Sequence, residues 1–190
     1  MGERTKYDVV IQNVVAVGSL DQKIDLLAIM KGFLNVEYRP KRFPGLVFRL
    51  KRPKTATLIF NSGKLVCTGA KSAKLAHSAI KKVVRELKKG GIIILGTPRI
   101  KVENIVASAD IHGEVDLEAA AEFLDNIMYE PEQFPGAVYR MKEPKVVILL
   151  FSSGRLVITG AKREEQVHEA AEKIRGILVE NGLIYEHTLA

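Results

Sequence analysis

The sequence predicts an α+β fold built from one structural unit written twice in tandem, and three observations carry that prediction. The first is an internal repeat: Phe43-Pro44-Gly45 returns 91 residues later as Phe134-Pro135-Gly136, and Ser62-Gly63-Lys64-Leu65-Val66 returns at the same offset as Ser153-Gly154-Arg155-Leu156-Val157. The second is the order of patterns inside each copy, which reads strand, short helix, three strands, long helix. The third is an alternation in the paired strands that leaves apolar residues on both faces of a sheet.

The elements follow in order. Residues 7–17 are rich in valine and isoleucine and read as a strand. Asp21 is placed to cap a short helix running to about Lys31, and Asp116 falls in the corresponding helix of the second copy. Three β-like runs occupy 46–50, 55–60 and 64–69, the last two joined by Asn61-Ser62-Gly63, where glycine suits a tight hairpin. An amphipathic helix is predicted from about Ser72 to Lys89, with Ala76, Ile80, Val83, Val84 and Leu87 on one stripe. Gly90-Gly91 ends it. The repeats are therefore 1–91 and 92–190, and about 30 of roughly 80 aligned positions are identical. Two copies of so long a period form one joined pseudo-twofold unit rather than a solenoid.

Composition narrows the function. The 190 residues are 47% hydrophobic and 27% charged, an ordinary globular mixture. No apolar run approaches the ~20 residues that span a bilayer, and Met1-Gly2-Glu3-Arg4-Thr5-Lys6 opens no signal-peptide apolar region. A single cysteine, Cys67, rules out an internal disulfide and favours a reducing, cytoplasmic setting. The net charge of +7 makes polyanions favoured partners.

The paired strands supply the candidate site. Ile59, Leu65 and Cys67 share one face, and Leu58, Phe60, Val66 and Thr68 share the other. In the second copy Ile148, Leu150, Leu156 and Ile158 oppose Leu149, Phe151, Val157 and Thr159. Helices cover only one face, so the other is either an interaction surface or is buried between the copies as a sandwich. Arg49, Lys64, Arg140 and Arg155 border that second face. An apolar floor edged by cations fits a DNA minor groove, with phosphates along both rims. Phe43 and Phe134 sit in proline-glycine loops and Phe60 and Phe151 end their strands. Such pairs serve as wedges between base steps, or as staples holding a loop to the sheet.

These motifs together resemble the TATA-binding protein family, in its archaeal type, over about residues 8–180. The resemblance implies a saddle with a ten-stranded curved antiparallel sheet and four helices on its convex face. It implies that Phe43, Phe60, Phe134 and Phe151 are the wedges, minor-groove kinking being the family's established mode. Asn13, Asn104, Thr68 and Thr159 match polar contacts to the central groove, and Val15, Val66, Val106, Val157, Leu58 and Leu149 match packing on base edges. Arg49, Arg140, Lys64, Arg155, Ser62 and Ser153 match phosphate or sugar contacts. The implied partners are TATA-box promoter DNA, transcription factor B and, through it, RNA polymerase, in a cell without a nucleus. The apolar concave face also permits a homodimer off DNA. An alternative from another class is a sheet that stacks single-stranded RNA on its aromatics.

Charge separates the copies. Residues 1–91 hold 19 basic and 6 acidic side chains, a net +13, whereas residues 92–190 hold 10 and 16, a net −6. Beside the loop wedge, Arg39 and Lys41 become Glu130 and Glu132. Carboxylates there would repel phosphate, so that loop is expected to meet a protein partner, and the resemblance names transcription factor B. The lysines and arginine of the first long helix, among them Lys71, Lys74, Lys81, Lys82, Arg85, Lys88 and Lys89, read by default as a solvated face, the alternatives being a contact with another regulator or with flanking DNA drawn up by a bend. No catalysis, cofactor or metal is expected. Cys67 points inward, His77 and His168 lack partners at ligand spacing, and no phosphate-binding glycine loop is present.

Overall fold

A computed structural model describes residues 6–187, so the predictions made for Met1–Thr5 and for the last three residues lie outside it. Two compact units emerge: Asn13–Asn104, and the strand residues through Gln12 together with the chain from Ile105 onward. The boundaries fall inside two long strands, β1 (Asp8–Ser19) and β6 (Arg99–Asp110). The compact units are thus offset from the sequence repeats, because each copy's first strand begins in the other copy's unit.

The Asn13–Asn104 unit continues with α1 (Leu26–Gly32), β2 (Val36–Glu37), β3 (Leu46–Lys51), β4 (Lys54–Ile59), β5 (Lys64–Ala70) and α2 (Ala73–Lys89). The other unit contains β7 (Gly113–Val115), α3 (Leu117–Phe123), β8 (Ile127–Tyr129), β9 (Ala137–Met141), β10 (Val146–Leu150), β11 (Arg155–Ala161), α4 (Glu164–Glu180) and β12 (Ile184–Glu186). Ten strands form one antiparallel sheet in the order β2-β3-β4-β5-β1-β6-β11-β10-β9-β8, and β12 pairs with β7 separately. The short strands β2, β7, β8 and β12 were not legible in the sequence, because two or three residues are too few to display an alternation.

Local chemistry sets the helix boundaries and corrects two expectations. Asp25, not Asp21, caps α1: its Oδ1 accepts from the N–H groups of Leu27 and Ala28 at 3.1 and 3.2 Å. Residues 20–24 instead form a bent connection, with Leu20 N–H donating to Gly63 O, Gln22 N–H to Leu20 O and Ile24 N–H to Asn61 O. Asp21 pairs with Arg99 at 2.8 Å. Asp116 is the cap of α3, not a residue within it, and accepts from Ala119 N–H at 3.0 Å. Ser72 caps α2, and the predicted stripe of Ala76, Ile80, Val83, Val84 and Leu87 is buried.

The hairpin glycine is required by close approach as well as by its backbone. Gly63 has φ +91°, and a Cβ there would lie 2.3 Å from the carbonyl oxygens of Leu20 and Gln22. Beneath the long helices the core is Leu46, Phe48, Ile59 and Leu65 in one unit and Ala137, Ile148, Leu150 and Leu156 in the other. Among the described residues no helix is long and apolar enough to cross a membrane.

Candidate nucleic-acid interface

The strand alternation divides the sheet residues as their chemistry demands. Ile59, Leu65 and Cys67 are fully buried under α2, while Leu58, Phe60, Val66 and Thr68 remain half-exposed. The second copy repeats this: Ile148, Leu150, Leu156 and Ile158 are buried, and Leu149, Phe151, Val157 and Thr159 are half-exposed. A face buried as a sandwich would have lost that exposure, so the sheet-on-sheet alternative fails.

Register turns the half-exposed residues into rows, because residues directly opposite in neighbouring strands share a face. Val47, Leu58, Val66 and Val17 form one row across β3, β4, β5 and β1. The matching row of the second copy is Val138, Leu149, Val157 and Ser108. Next to it lies Arg140, Val147, Thr159 and Val106, matched in the first copy by Arg49, Ala56 and Thr68. Val15 sits at the register shift between Val14 and Ala16 and is half-exposed. Val17, Val47, Val138 and Val147 were missed by sequence reading. Only cross-strand register, which a single sequence does not display, places them in the rows.

A polar pair sits on this apolar floor. Asn13 Oδ1 accepts the Gly69 backbone N–H at 2.7 Å, and its Nδ2 donates to Thr68 Oγ1 at 3.0 Å. A backbone N–H is satisfied only by oxygen, so this contact fixes the amide orientation. One Nδ2 hydrogen is left over, and the Thr68 hydroxyl, already accepting, keeps its own hydrogen to donate. Asn104 and Thr159 occupy the equivalent half-exposed places in the second copy.

The phenylalanines stand in two pairs. Phe43 and Phe60 meet edge to face with centroids 5.9 Å apart, and Phe134 and Phe151 do so at 5.8 Å. The loop phenylalanine does rest on the strand-end ring, as stapling predicts, yet Phe43 and Phe134 keep 43% and 37% of their surface exposed. The glycine two residues on makes this possible. A Cβ at Gly45 would fall 2.7 Å from Phe43 Cε1 and 3.1 Å from Phe60 Cε1, and one at Gly136 would meet both of its rings at 3.0 Å.

The flanks carry the polar candidates. Ser62 and Ser153 are exposed at the hairpins, where each Oγ accepts the N–H of Lys64 or Arg155 at 3.4 Å. Both phenylalanine loops close identically, Phe43 N–H on Arg39 O and Phe134 N–H on Glu130 O, each at 3.0 Å. Their electrostatics differ. In the first copy Glu37 lies 3.1 Å from Arg39 and 3.9 Å from Arg49. In the second, the residue at Glu37's place is Met128, 53% exposed on edge strand β8, beside the exposed Glu130 and Glu132. Met128 carried no sequence signal of its own.

The cysteine and the two helix histidines have ordinary packing and hydrogen-bond surroundings. Burial pushes the Cys67 thiol above its ordinary range, away from the reactive thiolate. His77 Nδ1 lies 2.9 Å from Ala73 O, one helical turn back, and His168 stands against the Tyr7 ring at 6.3 Å. Among the described residues no cluster of three or more His, Cys, Asp or Glu is arranged to hold a metal ion.

The family model for transcription factor TFIID, or TATA-binding protein, matches the chain twice, over residues 8–90 and 99–181. The TATA-box-binding protein of Pyrodictium occultum is 60% identical over 164 residues, 86% of this chain and 82% of that protein. That of Archaeoglobus fulgidus is 49% identical over 180 residues, covering 94% and 98%. The solved structure of Methanococcus jannaschii TBP superposes with a TM-score of 0.83 at 48% identity, covering 91% of this chain and 99% of that one. A doubled match over the same two stretches that fold as repeats, with a superposition that spans nearly the whole chain, establishes that this chain belongs to the TATA-binding protein family, the DNA-binding general initiation factors of transcription.

Proposed function

We propose that the half-exposed sheet face binds TATA-box DNA in the minor groove, that the paired phenylalanines kink it, and that the second wedge loop recruits transcription factor B and thereby RNA polymerase. The observation that carries the reading is the fixed amide of Asn13 on an apolar floor. Its oxygen is turned to Gly69 and its Nδ2 keeps one hydrogen free of Thr68, so it offers the groove a donor. A·T pairs present only acceptors in the minor groove, whereas guanine adds an amino donor. A face of valines, leucines and outward donors therefore meets A·T edges without an unpaired polar group and rejects G·C. The exposed edges of Phe43 and Phe134 give each copy a ring to insert at a flexible TA step. Arg49, Lys64, Arg140 and Arg155 then face phosphates, and Ser62 and Ser153 the sugar-phosphate rim.

The loop of Glu130 and Glu132 supports a protein contact. Carboxylates oppose phosphate, and exposed Met128 beside them adds an apolar anchor of the kind interfaces concentrate. The relatives are archaeal, so the setting proposed is the nucleoid of a cell without a nucleus. Gel-shift titration across a salt series tests the reading. A TATA duplex should bind far more tightly than a G·C-substituted control, with affinity falling as salt rises. Equal binding to both duplexes, or displacement of the TATA duplex by single-stranded RNA at equal concentration, would overturn it.

A further inference from the structure

On the side of the sheet away from the proposed DNA face, α2 and α4 occupy matching positions in the two copies but carry opposite charge. Lys74, Lys81 and Lys89 of α2 stand where α4 has Glu165, Glu172 and Glu180, and all six are exposed. Both helices have 17 residues and bury one stripe into their own unit, leaving the opposite ridge in solvent. Laid antiparallel, the two ridges fit each other. Lys74 meets Glu180, Arg85 meets Glu169 and Lys89 meets Glu165, while Glu172 falls one position from the residue opposite Lys81. The same register sets Leu75 against Val179, two apolar side chains left 41% and 45% exposed. It also sets Ser78 against Gly176, where the space around the Gly176 Cα is open, so the axes can approach closely. The one like-charged pair, Lys81 with Lys173, is relieved because Lys173 Nζ donates to the Glu143 carbonyl and is turned aside.

We propose that the α2 ridge of one chain docks antiparallel on the α4 ridge of a second copy of this chain. Each molecule presents both ridges, so the contact forms between identical chains without any further partner. Exposed ion pairs are individually weak and the area is small, so the association is of low affinity and screened by salt. Local complementarity outweighs the net charge of +7 only within a Debye length, about 10 Å at 0.1 M salt. Neither ridge contains a residue of the proposed DNA face, so the contact persists on DNA.

Sedimentation velocity of the full chain at high concentration tests this with two variants. Lys74→Glu with Arg85→Glu sets like charges against Glu180 and Glu169, and Glu169→Lys with Glu180→Lys sets like charges against Arg85 and Lys74. Wild type should associate at low salt and dissociate by about 0.5 M salt, where the Debye length is only a few ångströms. Each variant alone should sediment as a monomer, and the equimolar mixture should associate again. Binding of a TATA duplex, measured separately, should be retained by both variants and should leave the wild-type association intact. The proposal is overturned if wild type stays monomeric at low salt, if the duplex dissolves the association, or if the mixture fails to pair.

Discussion

Under the long helix of the first copy, adjacent strands bury Thr55, Thr57 and Cys67; at the same places the second copy buries Val146, Ile148 and Ile158. On the opposite face of those strands the copies are identical at Leu58 and Leu149, Val66 and Val157, Thr68 and Thr159. A core accepts any set of side chains that fills its volume without strain, so its composition drifts between copies. A surface that meets the same ligand twice has less freedom at its points of contact. Repeated identity at these three half-exposed positions, although Val17 and Ala56 become Ser108 and Val147, supports the proposed DNA face.

The largest effect expected from breaking this symmetry is at the phenylalanine pairs. Phe134→Ala with Phe151→Ala should lower affinity for a TATA duplex by about a hundredfold, or roughly 3 kcal/mol, and reduce the bend read from circularly permuted probes. Phe43→Ala with Phe60→Ala should do the same within a factor of about 3, because the two pairs share one geometry. Full bending in either double variant would show that the rings only staple their loops.

The loops should respond oppositely. Glu130→Arg with Glu132→Arg should leave duplex binding intact or slightly stronger while weakening the ternary complex with transcription factor B by about 2 kcal/mol or more. Arg39→Glu with Lys41→Glu should weaken duplex binding and spare the ternary step. Native gels with and without the partner separate these outcomes. If both swaps act on the same step, charge does not distinguish the copies and direction on the promoter comes from elsewhere.

The core comparison predicts stability changes of opposite sign. The Thr57 hydroxyl is fully buried with only the weakly bonding Cys67 thiol beside it, which costs about 1–3 kcal/mol against an apolar side chain of the same shape. Thr57→Val should therefore raise the melting temperature, by about 2–4 °C for each kcal/mol gained in a chain of this size. Ile148→Thr imports the same hydroxyl into the second copy and also removes buried carbon, so it should destabilise by about 3 kcal/mol. Thermal melts of the two variants decide whether the polar positions are tolerated or required.

How much of this was legible in sequence depended on the length over which each signal extends. The 12-residue strands, the 17-residue helices and the alternation of Leu58 through Thr68 each repeat a period often enough to be read directly. The rows that include Val17 and Val47 were not legible, since they depend on pairing between strands distant in sequence. The orientation of the Asn13 amide was equally hidden, because it is set by Gly69, 56 residues away. Exposed Met128 carried no pattern and emerged only from its place at the sheet edge.

The smallest effect concerns the helix caps, where sequence reading and structure part company. Asp21 and Asp25 both precede α1, and local preference for aspartate at a cap fits either. What decides is the hairpin: Leu20 and Ile24 bond to the carbonyls of Gly63 and Asn61, which holds residues 20–24 in a bent, non-helical path and delays the helix until Leu26. Asp25→Ala should therefore cost about 1 kcal/mol, as should Asp116→Ala in the second copy. Asp21→Ala removes only its exposed ion pair with Arg99 and should cost well under about 1 kcal/mol. Urea titrations of the three variants order them. An Asp21→Ala loss equal to that of Asp25→Ala would mean that the aspartates share the cap and that the hairpin does not set where the helix begins.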